Sequence, residues 1–285
     1  MSVFTTVEEL RRWSRKQHAD GKCIGIVPTM GALHEGHLSL VRRANEQCGG
    51  VVVSIFVNPA QFAPNEDFHK YPRPLENDLA LLKSAGNPAV FVPSVEEMYP
   101  AGFDSAVHIG GVSLPFEGRL RPAHFDGVAT VVLKLFSASE ADCAFFGQKD
   151  FQQCCVVRKM VNELNLPIKI VVCPIVREEC GLAMSSRNRY LSEEQRRQSV
   201  VLSQSVSKAQ QLIEKQRVRD IPKILEEVRS VILSAPDMHL DYASIADTET
   251  LQELTDFNGV CEAVLLLAAR IGTTRLLDNG VIKIS

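Results

Sequence analysis

Two histidines three residues apart are the first candidates for chemistry in this sequence. His34 and His37 lie in PTMGALHEGH, between an apolar run that predicts a strand and a stretch that predicts a helix. Ligands bind at the carboxyl edge of an open parallel sheet, and the free amides of a helix start favour anions. Two imidazoles there could stabilise phosphate oxygens that gain charge during group transfer. The alternative is a glycine-containing turn with two exposed histidines.

Two further polar segments follow predicted strands. Residues 58–73 contain Gln61, a neutral amide that can bind hydroxyl and carboxylate oxygens, although the two acids of this loop are equally compatible with solvation. FFGQKDFQQ combines Gly147, which permits a close approach, with Lys149, a point charge for phosphate, and Gln153 one turn later. Both segments are expected at the same sheet edge as the histidines.

Two cationic segments suit an anionic ligand. FEGRLRPAHFDGVATVV places Arg119, Arg121 and His124 before a helix start predicted at 127–130. GLAMSSRNRYLS offers hydroxyls, a guanidinium and backbone amides, and could close over a nucleotide. The alternatives are a surface loop capped by Asp126 and an N-cap cluster before a long helix. Together, the five segments indicate a nucleotide site.

The elements that would position these groups are short apolar strands alternating with helix-like stretches, a pattern typical of a parallel sheet with crossover helices. Because the strands are apolar throughout, we expect helices on both faces of the sheet. Strands are predicted at 23–29, 51–58, 89–94, 143–147 and 168–174. The helix-like stretches are HLSLVRRANEQC, LENDLALLKSAG, GVATVVLKLFSAS and DFQQCCVVRKMVNEL.

The pattern changes after about residue 176. A polar loop leads to two charged amphipathic helices predicted at 192–216 and 221–233, and three strand-like runs follow, with a tight turn predicted at 278–280. We therefore expect an α/β domain over 1–176 and a smaller α+β domain over 177–285.

Composition excludes several classes of protein. The 285 residues are 45% hydrophobic and 23% charged with a net charge of −3, which argues against disorder and against a nucleic-acid-binding protein. The sequence has no apolar run long enough for a membrane span and no secretory signal, so a cytoplasmic location is expected. Eight cysteines without a CxxC spacing are interpreted as reduced, mostly buried thiols. GxGxxG, GxxxxGK[ST], GxSxG and HExxH are absent, which disfavours dehydrogenases, P-loop NTPases, esterases and zinc proteases.

Five segments in order resemble those of the pantothenate synthetase (pantoate–beta-alanine ligase) family, within the HxGH nucleotidyltransferase superfamily. They are PTMGALHEGH, QF with YPR downstream, FEGRLRPAHFDGVATVV, FGQKDFQQ and REECGLAMSSRNRYL, and they span nearly the whole chain. The resemblance implies a Rossmann-like N-terminal domain, a C-terminal lid domain, a homodimer, and a requirement for ATP and Mg²⁺. It also implies that (R)-pantoate and ATP give pantoyl adenylate and diphosphate, after which β-alanine displaces AMP to form pantothenate, a coenzyme A precursor.

The resemblance also implies residue roles. His34, His37 and Lys149 match residues that act on the ATP phosphates, His37 being the proton donor. Gln61 matches a contact of both pantoate and β-alanine, and Gln153 a second pantoate contact. The matched ATP-binding positions are Met30, Gly31, Ala32, Leu33, His34, Glu35, Gly36, His37, Gly147, Gln148, Lys149, Asp150, Val176, Met184, Ser185, Ser186 and Arg187. Asp78 is the candidate Mg²⁺ ligand, with the ATP phosphates holding most of the metal.

The sequence departs from the family pattern at two positions. Cys180 stands where the family usually has an acid before Gly181, and Asn77 stands where some relatives have another acid. Two other functions remain open from the residues: an adenylyltransferase acting on a phosphorylated acceptor, and a nucleotide sensor without turnover.

Overall fold

The protein contains a six-stranded parallel sheet. The computed structural model describes residues 1–63 and 66–284, so Pro64 and Asn65 of the predicted loop 58–73 and the terminal Ser285 lie outside the described residues. The strands are β1 (Val3–Phe4), β2 (Ile24–Thr29), β3 (Gly50–Ile55), β4 (Ala89–Phe91), β5 (Cys143–Gly147) and β6 (Lys169–Cys173). Five of them match the predicted runs, and the sixth, β1, is too short for a periodic pattern to indicate.

The strand order places a topological switch point at the centre of the sheet. The order is β1-β4-β3-β2-β5-β6, and every neighbouring pair is parallel. The chain therefore runs from β2 to β3 and β4 on one side, and returns to β5 and β6 on the other. Ligands of such sheets bind outside the carboxyl ends of the strands at the switch point, here between β2 and β5.

The helices between the strands follow the periodicity of the sequence. They are α1 (Val7–Ala19), α2 (Glu35–Gln47), α3 (Leu75–Ser84), α4 (Val95–Met98), α5 (Glu117–Leu120), α6 (His124–Ser139) and α7 (Phe151–Glu163). The buried face of α2 carries Leu38, Val41 and Ala44, a helical spacing that packs these side chains in one apolar cluster with β2 and β3. This packing fixes the start of α2 just beyond the end of β2.

A second apolar core is built from three helices and three antiparallel strands. The helices are α8 (Glu193–Ser199), α9 (Val201–Gln210) and α10 (Ile221–Leu233), and the strands, in the order β7-β8-β9, are β7 (Met238–Asp247), β8 (Glu262–Ile271) and β9 (Thr274–Lys283). The prediction for 221–233 is confirmed. The single helix predicted at 192–216 is instead α8 and α9 followed by a π-helical turn, Gln211–Lys215.

The prediction of a tight turn at 278–280 is wrong. These residues lie inside β9, where Asn279 and Gly280 pair with Leu266 and Leu265 of β8. The hairpin reverses instead between Ile271 and Thr274, where Gly272 has a φ of +56°. The sequence Asp-Asn-Gly is typical of a turn, but here the buried polar side chains have partners in the structure that keep them in a strand.

The chain divides into two compact units. The first comprises Met1–Gly147 and Gln153–Pro174, and the second comprises Gln148–Gln152 and Ile175–Ser285. The predicted fold class, a parallel α/β sheet with flanking helices and a smaller α+β part, is confirmed. Within the described ranges, no helix combines the length and apolar character that a membrane span requires.

Candidate active site

The loop after β2 has an unusual backbone. Gly31 and Ala32 have φ values of +80° and +51°, in the left-handed region that a non-glycine residue rarely adopts. Thr29 supports the first bend, because its hydroxyl donates to the carbonyl of Ser54 on β3 and accepts the amide of Gly31 at 3.1 Å. The loop therefore needs side chains from neighbouring elements to hold its shape.

Asp78 of α3 provides most of that support. One carboxylate oxygen accepts the amide of Ala32 and the other the amide of Leu33, both at 2.8 Å, and the residue is fully buried. A Cβ on Gly31 would lie 3.0 Å from the same carboxylate. Each oxygen thus holds one amide of the loop, and neither is open to solvent, an environment that does not fit a ligand of Mg²⁺, which usually keeps several waters. We assign Asp78 to positioning the loop in place of the metal role expected from the sequence.

The two histidines of the loop lie together at the start of α2. Nδ1 of His34 accepts the amide of Gly36 at 3.2 Å, and Nδ1 of His37 accepts the amide of His34 at 3.4 Å, a reciprocal cap of the helix. Since Nδ1 is the acceptor in each ring, the neutral tautomer carries its hydrogen on Nε2. The ring centroids are 4.1 Å apart. The cap thus produces two adjacent imidazoles with the same tautomer beside the helix amides.

Gln61 contacts the first residue of this loop. Its amide nitrogen lies 3.0 Å from the sulfur of Met30, and its amide oxygen accepts from Asn58 at 3.2 Å. Asn58 is buried and also bonds the carbonyl of Gly127 and the hydroxyl of Tyr99. Burial raises the pKa of Tyr99 to about 12, so its hydroxyl stays a donor. The predicted acid-binding amide is therefore held between the buried side chain of Asn58 and the sulfur of Met30.

Helix α6 approaches the Gln61 segment very closely. A Cβ on Gly127 would lie 2.2 Å from the carbonyl oxygen of Ala60 and 2.7 Å from the amide nitrogen of Gln61. Only glycine permits this contact between backbones. The helix begins at His124, three residues before the predicted start, after Ala123 in a left-handed conformation and without a side-chain cap.

Arg121 and His124 have a different task from the anion binding expected of them. The guanidinium of Arg121 forms a two-pronged ion pair with Glu66 at 2.6 and 2.7 Å and donates to the carbonyl of Gln61. Burial raises the pKa of Glu66, but the bonds and charge of Arg121 outweigh it and hold that pKa below its usual value. Arg121 thus bonds both Glu66 and the backbone of Gln61. Arg119 is exposed, and its anion-binding role stays a prediction.

The tautomer of His124 follows from its partners. Arg121 can only donate, so Nε2 of His124 accepts from it at 3.1 Å, and Nδ1 donates to the carbonyl of Gln61 at 2.8 Å. Burial, with the neighbouring charge of Arg121, lowers the pKa of His124 to about 4. His124 is therefore a neutral, oriented support for Gln61 at pH 7.

The first unit also holds Gly147 and Gln153. Gly147 ends β5 next to the switch point, and a Cβ there would meet nothing within 4 Å, so an approaching ligand has room. Gln153 is half-buried in the first turn of α7. Their roles toward nucleotide and pantoate stay predictions.

In the second unit, the short 3₁₀ helix Gln148–Asp150 is tied to β9. The side-chain amide of Asn279 donates to the carbonyls of Gln148 and Lys149 at 3.0 and 2.9 Å. The ammonium of Lys149 lies 3.4 Å from a carboxylate oxygen of Asp150. These bonds explain how Asn279 can be buried in a strand. Its side-chain amide bonds the carbonyls of Gln148 and Lys149, which belong to no strand.

The segment 176–187 forms a short hairpin in the second unit. The amide of Met184 donates to the carbonyl of Val176, and Gly181, at a φ of +95°, closes a turn onto Glu178. Cys180 is exposed within that turn and does not contribute the carbonyl or the amide that closes it. The backbone closure therefore does not require the acid that the family usually has there.

Two interactions fix the base of that hairpin. Arg177 forms a bidentate ion pair with the buried carboxylate of Asp278 at 2.7 and 2.9 Å. Ser185 caps a 3₁₀ helix, Ser186–Tyr190, by accepting the amide of Arg187 at 3.2 Å. The N-cap expected as the alternative, before the long helix, is Ser192, whose hydroxyl accepts the amide of Gln195 at 3.1 Å at the start of α8. The role of Ser185, Ser186 and Arg187 toward phosphate stays a prediction.

Sequence reasoning missed the residues that hold the site together. Asn58 and Tyr99 were not selected, and Asp78 was selected for another reason. Asn58 could have been found, because an asparagine directly before Pro59 is a helix-start signal, and it caps the 3₁₀ helix Pro59–Gln61. Nothing in the spacing indicates Tyr99, which comes from a distant part of the sequence.

Comparison with known proteins places this site in a family. The family model described as Pantoate-beta-alanine ligase matches residues 2–281. The chain belongs to the pantoate-beta-alanine ligase family. A pantothenate synthetase of Rhodopirellula baltica is 51% identical over 98% of each chain, and one of Chlorobium phaeobacteroides is 46% identical over 100% of this chain and 99% of the other. As a member of this family, the protein is an enzyme of the ligase class.

Solved structures of the family share its fold. A pantothenate synthetase of Thermus thermophilus matches with a TM-score of 0.93 at 44% identity, over 98% of this chain and 99% of the other. The pantoate-beta-alanine ligase of Francisella tularensis, solved with beta-gamma ATP and beta-alanine, matches with a TM-score of 0.78 at 31% identity. That match covers 99% of this chain and 97% of the other.

Proposed function

We propose that the enzyme joins (R)-pantoate to β-alanine with cleavage of ATP, giving pantothenate, AMP and diphosphate. The observation that carries this proposal is that two sets of groups, one suited to phosphate and one suited to a hydroxy acid, lie together at the carboxyl edge of the sheet. The paired imidazoles of His34 and His37 are adjacent to helix amides, and Gln61 contacts Met30 at the start of the same loop. An anion site beside a neutral amide suits a nucleotide phosphate next to a hydroxy acid.

The first step forms pantoyl adenylate. A carboxylate oxygen of pantoate bonds to the α-phosphorus of ATP as the bond from that phosphorus to diphosphate breaks. Charge grows on the phosphate oxygens in this transition state, so hydrogen-bond donors placed in advance lower the barrier. We assign this task to Nε2–H of His37, with His34 and the amides of the loop 30–37 as further contacts, and with Lys149 as a cationic contact.

The second step forms the amide bond. The amine of β-alanine attacks the acyl carbon, the bond from that carbon to the AMP oxygen breaks, and the nitrogen releases a proton. AMP is a far better leaving group than hydroxide, which is why the carboxylate is activated first. We assign Gln61 to pantoate and β-alanine and Gln153 to pantoate, because a neutral amide donates a hydrogen bond to a carboxylate without neutralising its charge.

Mg²⁺ is expected as the partner of ATP. Asp78 does not fit as its ligand, since both carboxylate oxygens accept loop amides. The metal would be held by the nucleotide phosphates, whose charge it offsets when bound.

Three further assignments rest on the family resemblance and are proposals here. The domains are 1–176, binding nucleotide and pantoate, and 177–285, acting as a lid; the division into two units supports a boundary near residue 175. Gln148, Asp150, Val176 and Met184 to Arg187 are assigned to ATP. The enzyme is a cytoplasmic homodimer, a state that light scattering of the purified protein measures.

A matched pair of histidine variants tests the proposed function. His37→Ala should lower the rate of pantoate-dependent diphosphate release by about a hundredfold to a thousandfold, the cost of removing one oriented donor to a developing anion. His239→Ala, an exposed histidine on β7, should leave that rate unchanged. Thermal melting checks that both variants fold.

Product analysis separates the two rival functions. The proposed ligase releases diphosphate only with pantoate and makes AMP and pantothenate in equal amounts when β-alanine is added. ADP formation would overturn the proposal. Diphosphate release that requires a phosphorylated acceptor and no amine would favour an adenylyltransferase, and ATP that stays intact with every substrate would favour a sensor.

A further inference from the structure

Three cysteines converge at the end of the sheet opposite the candidate active site. The Sγ atoms of Cys23, Cys48 and Cys143 all lie within 4.8 Å of one another, and those of Cys23 and Cys48 are 3.2 Å apart. The three residues are far apart in the sequence, and the fold brings them together.

Parallel pairing of three adjacent strands produces this cluster. Cys23 directly precedes β2, Cys48 lies two residues before β3, and Cys143 is the first residue of β5. Registers between Ile24 and Gly50, and between Gly25 and Cys143, align the three strand starts. The six residues of β2 separate the cluster from the carboxyl edge by about 20 Å. The cluster is thus independent of the proposed ATP chemistry.

The neighbouring backbone leaves room for the sulfur atoms. A Cβ on Gly25 would lie 3.1 Å from Sγ of Cys48 and 3.0 Å from the ring of Phe145. A glycine in a central strand has a cost in stability, and here it allows the Cys48 side chain to reach its two partners. Cys48 is 8% exposed, whereas Cys23 and Cys143 are half-buried, so an ion could reach the sulfur atoms from solvent.

A cysteine binds a metal ion as the thiolate, so binding at this cluster releases a proton from each thiol. Protonated thiols are poor nucleophiles and oxidise slowly. A cation with high affinity for thiolate would displace the protons and balance the charge.

We propose that Cys23, Cys48 and Cys143 form a binding site for one soft, thiophilic metal cation. Thiolate ligands select Cu(I) and Zn²⁺ among common metals. Among the described residues the cluster has three ligand atoms, whereas structural zinc sites are almost always four-coordinate. The set therefore favours Cu(I) over Zn²⁺. A bound cation would link the starts of β2, β3 and β5.

The sulfur separations support this proposal over simple packing. Metal–sulfur bonds of about 2.3 Å require ligand sulfurs roughly 4 Å apart. The three sulfurs already lie within 4.8 Å, so small side-chain rotations suffice. Apolar packing alone does not require three sulfur atoms to meet at one point.

Metal titration of the full chain tests the proposal. The parent is C180S/C261S, which lacks the two exposed thiols, and its test variants are C23S, C143S and C48A. C173A in the same parent removes a buried thiol from the other end of the sheet as a matched control. Cu(I), kept reduced without oxygen, and Zn²⁺ are each titrated in competition with a chromophoric chelator, and melting temperature is measured with and without metal.

The parent and C173A should each bind one equivalent of Cu(I), more tightly than Zn²⁺, and the metal should raise their melting temperatures. C23S and C143S should each weaken binding by about a hundredfold or more, since even outer-shell changes cost ten- to a hundredfold. These two variants decide the outcome if C48A does not fold. Absence of saturable binding, unchanged affinity in C23S and C143S, or a Cys23–Cys48 disulfide forming with peroxide in a chain that binds no cation would overturn the proposal.

Discussion

Replacing Asp78 with asparagine tests whether this buried side chain holds the loop 30–37 or binds metal. In Asp78→Asn one oxygen can still accept an amide, but the new NH₂ group faces the second amide donor. The structure shows two bonds of 2.8 Å to a fully buried carboxylate. Losing one charge-assisted bond, weakening the other and leaving donors unpaired should cost about 2–4 kcal/mol of unfolding free energy.

The same change should reduce activity through the loop. Ala32, at a φ of +51°, would relax when its amide partner is lost and would move the histidines at the start of α2. Because a displacement of about 1 Å can cost a hundredfold in rate, we expect kcat/KM for ATP to fall by about ten- to a hundredfold. The melting temperature should fall by about 5–15 °C.

Calorimetry, ATP-dependent diphosphate release and a Mg²⁺ titration measure these effects. Asp142→Asn is the matched control: its carboxylate accepts the amide of Ile24 at 2.7 Å, at the other end of β2, so its loss should lower stability without changing turnover. A raised Mg²⁺ requirement in Asp78→Asn with unchanged stability would refute the positioning role and restore the metal role.

Three other changes test the supports of the site. Gly127→Ala should raise KM for pantoate about tenfold or more with KM for ATP unchanged, because its Cβ would displace the Gln61 backbone. The pKa of His124 falls from 6.5 in the unfolded chain to about 4 in the fold, so on acidification the unfolded state binds the proton first. The free energy of unfolding should therefore decrease by up to about 3 kcal/mol between pH 6.5 and pH 4. In His124→Asn, calorimetry should show a much flatter dependence on pH. Asp278→Asn should cost about 1.5–3 kcal/mol in denaturant unfolding, because it removes the charged acceptor of the partly buried Arg177.

Each of these changes has a control and a contrary result. Gly110→Ala places a Cβ in open space and should change neither KM, and equal effects on both KM values in Gly127→Ala would contradict the close approach. His239→Asn should leave the pH dependence of stability unchanged. If that dependence were lost in His239→Asn, His124 would not be its source. Asp256→Asn is an exposed control for Asp278→Asn, and equal small losses in both would contradict a buried ion pair.

Strong local patterns made the sheet predictable. The runs that became β2 to β5 are nearly continuous apolar stretches, as parallel strands buried on both faces must be, whereas β6 lies at the sheet edge and begins with exposed Lys169. The polar segments after the strands mark the carboxyl edge. His34 and His37 could be paired in advance, because a spacing of three residues at a helix start brings side chains together. The tautomers of the two histidines could not be predicted, since they depend on which backbone amides donate to the rings.

Long-range partners explain what the sequence left undetermined. Asp278 and Asn279 resemble turn residues until Arg177 and the backbone of 148–149 satisfy them inside β9. From the sequence alone Arg121 resembles an anion ligand, whereas in the structure its guanidinium is paired with Glu66. In each case the same residue type is compatible with an exposed group and with a buried pair. Only the folded structure shows which of the two is present.

Oxygen transfer from pantoate to AMP reports whether the pantoate carboxylate attacks the α-phosphorus of ATP, the step on which the proposed function depends. Pantoate labelled with ¹⁸O in both carboxylate positions is converted with ATP and β-alanine, and AMP is analysed by mass spectrometry. We expect one ¹⁸O atom in each AMP formed, because the attacking oxygen stays on phosphorus when the acyl carbon is released. Unlabelled AMP, or label found in inorganic phosphate beside ADP, would contradict this mechanism.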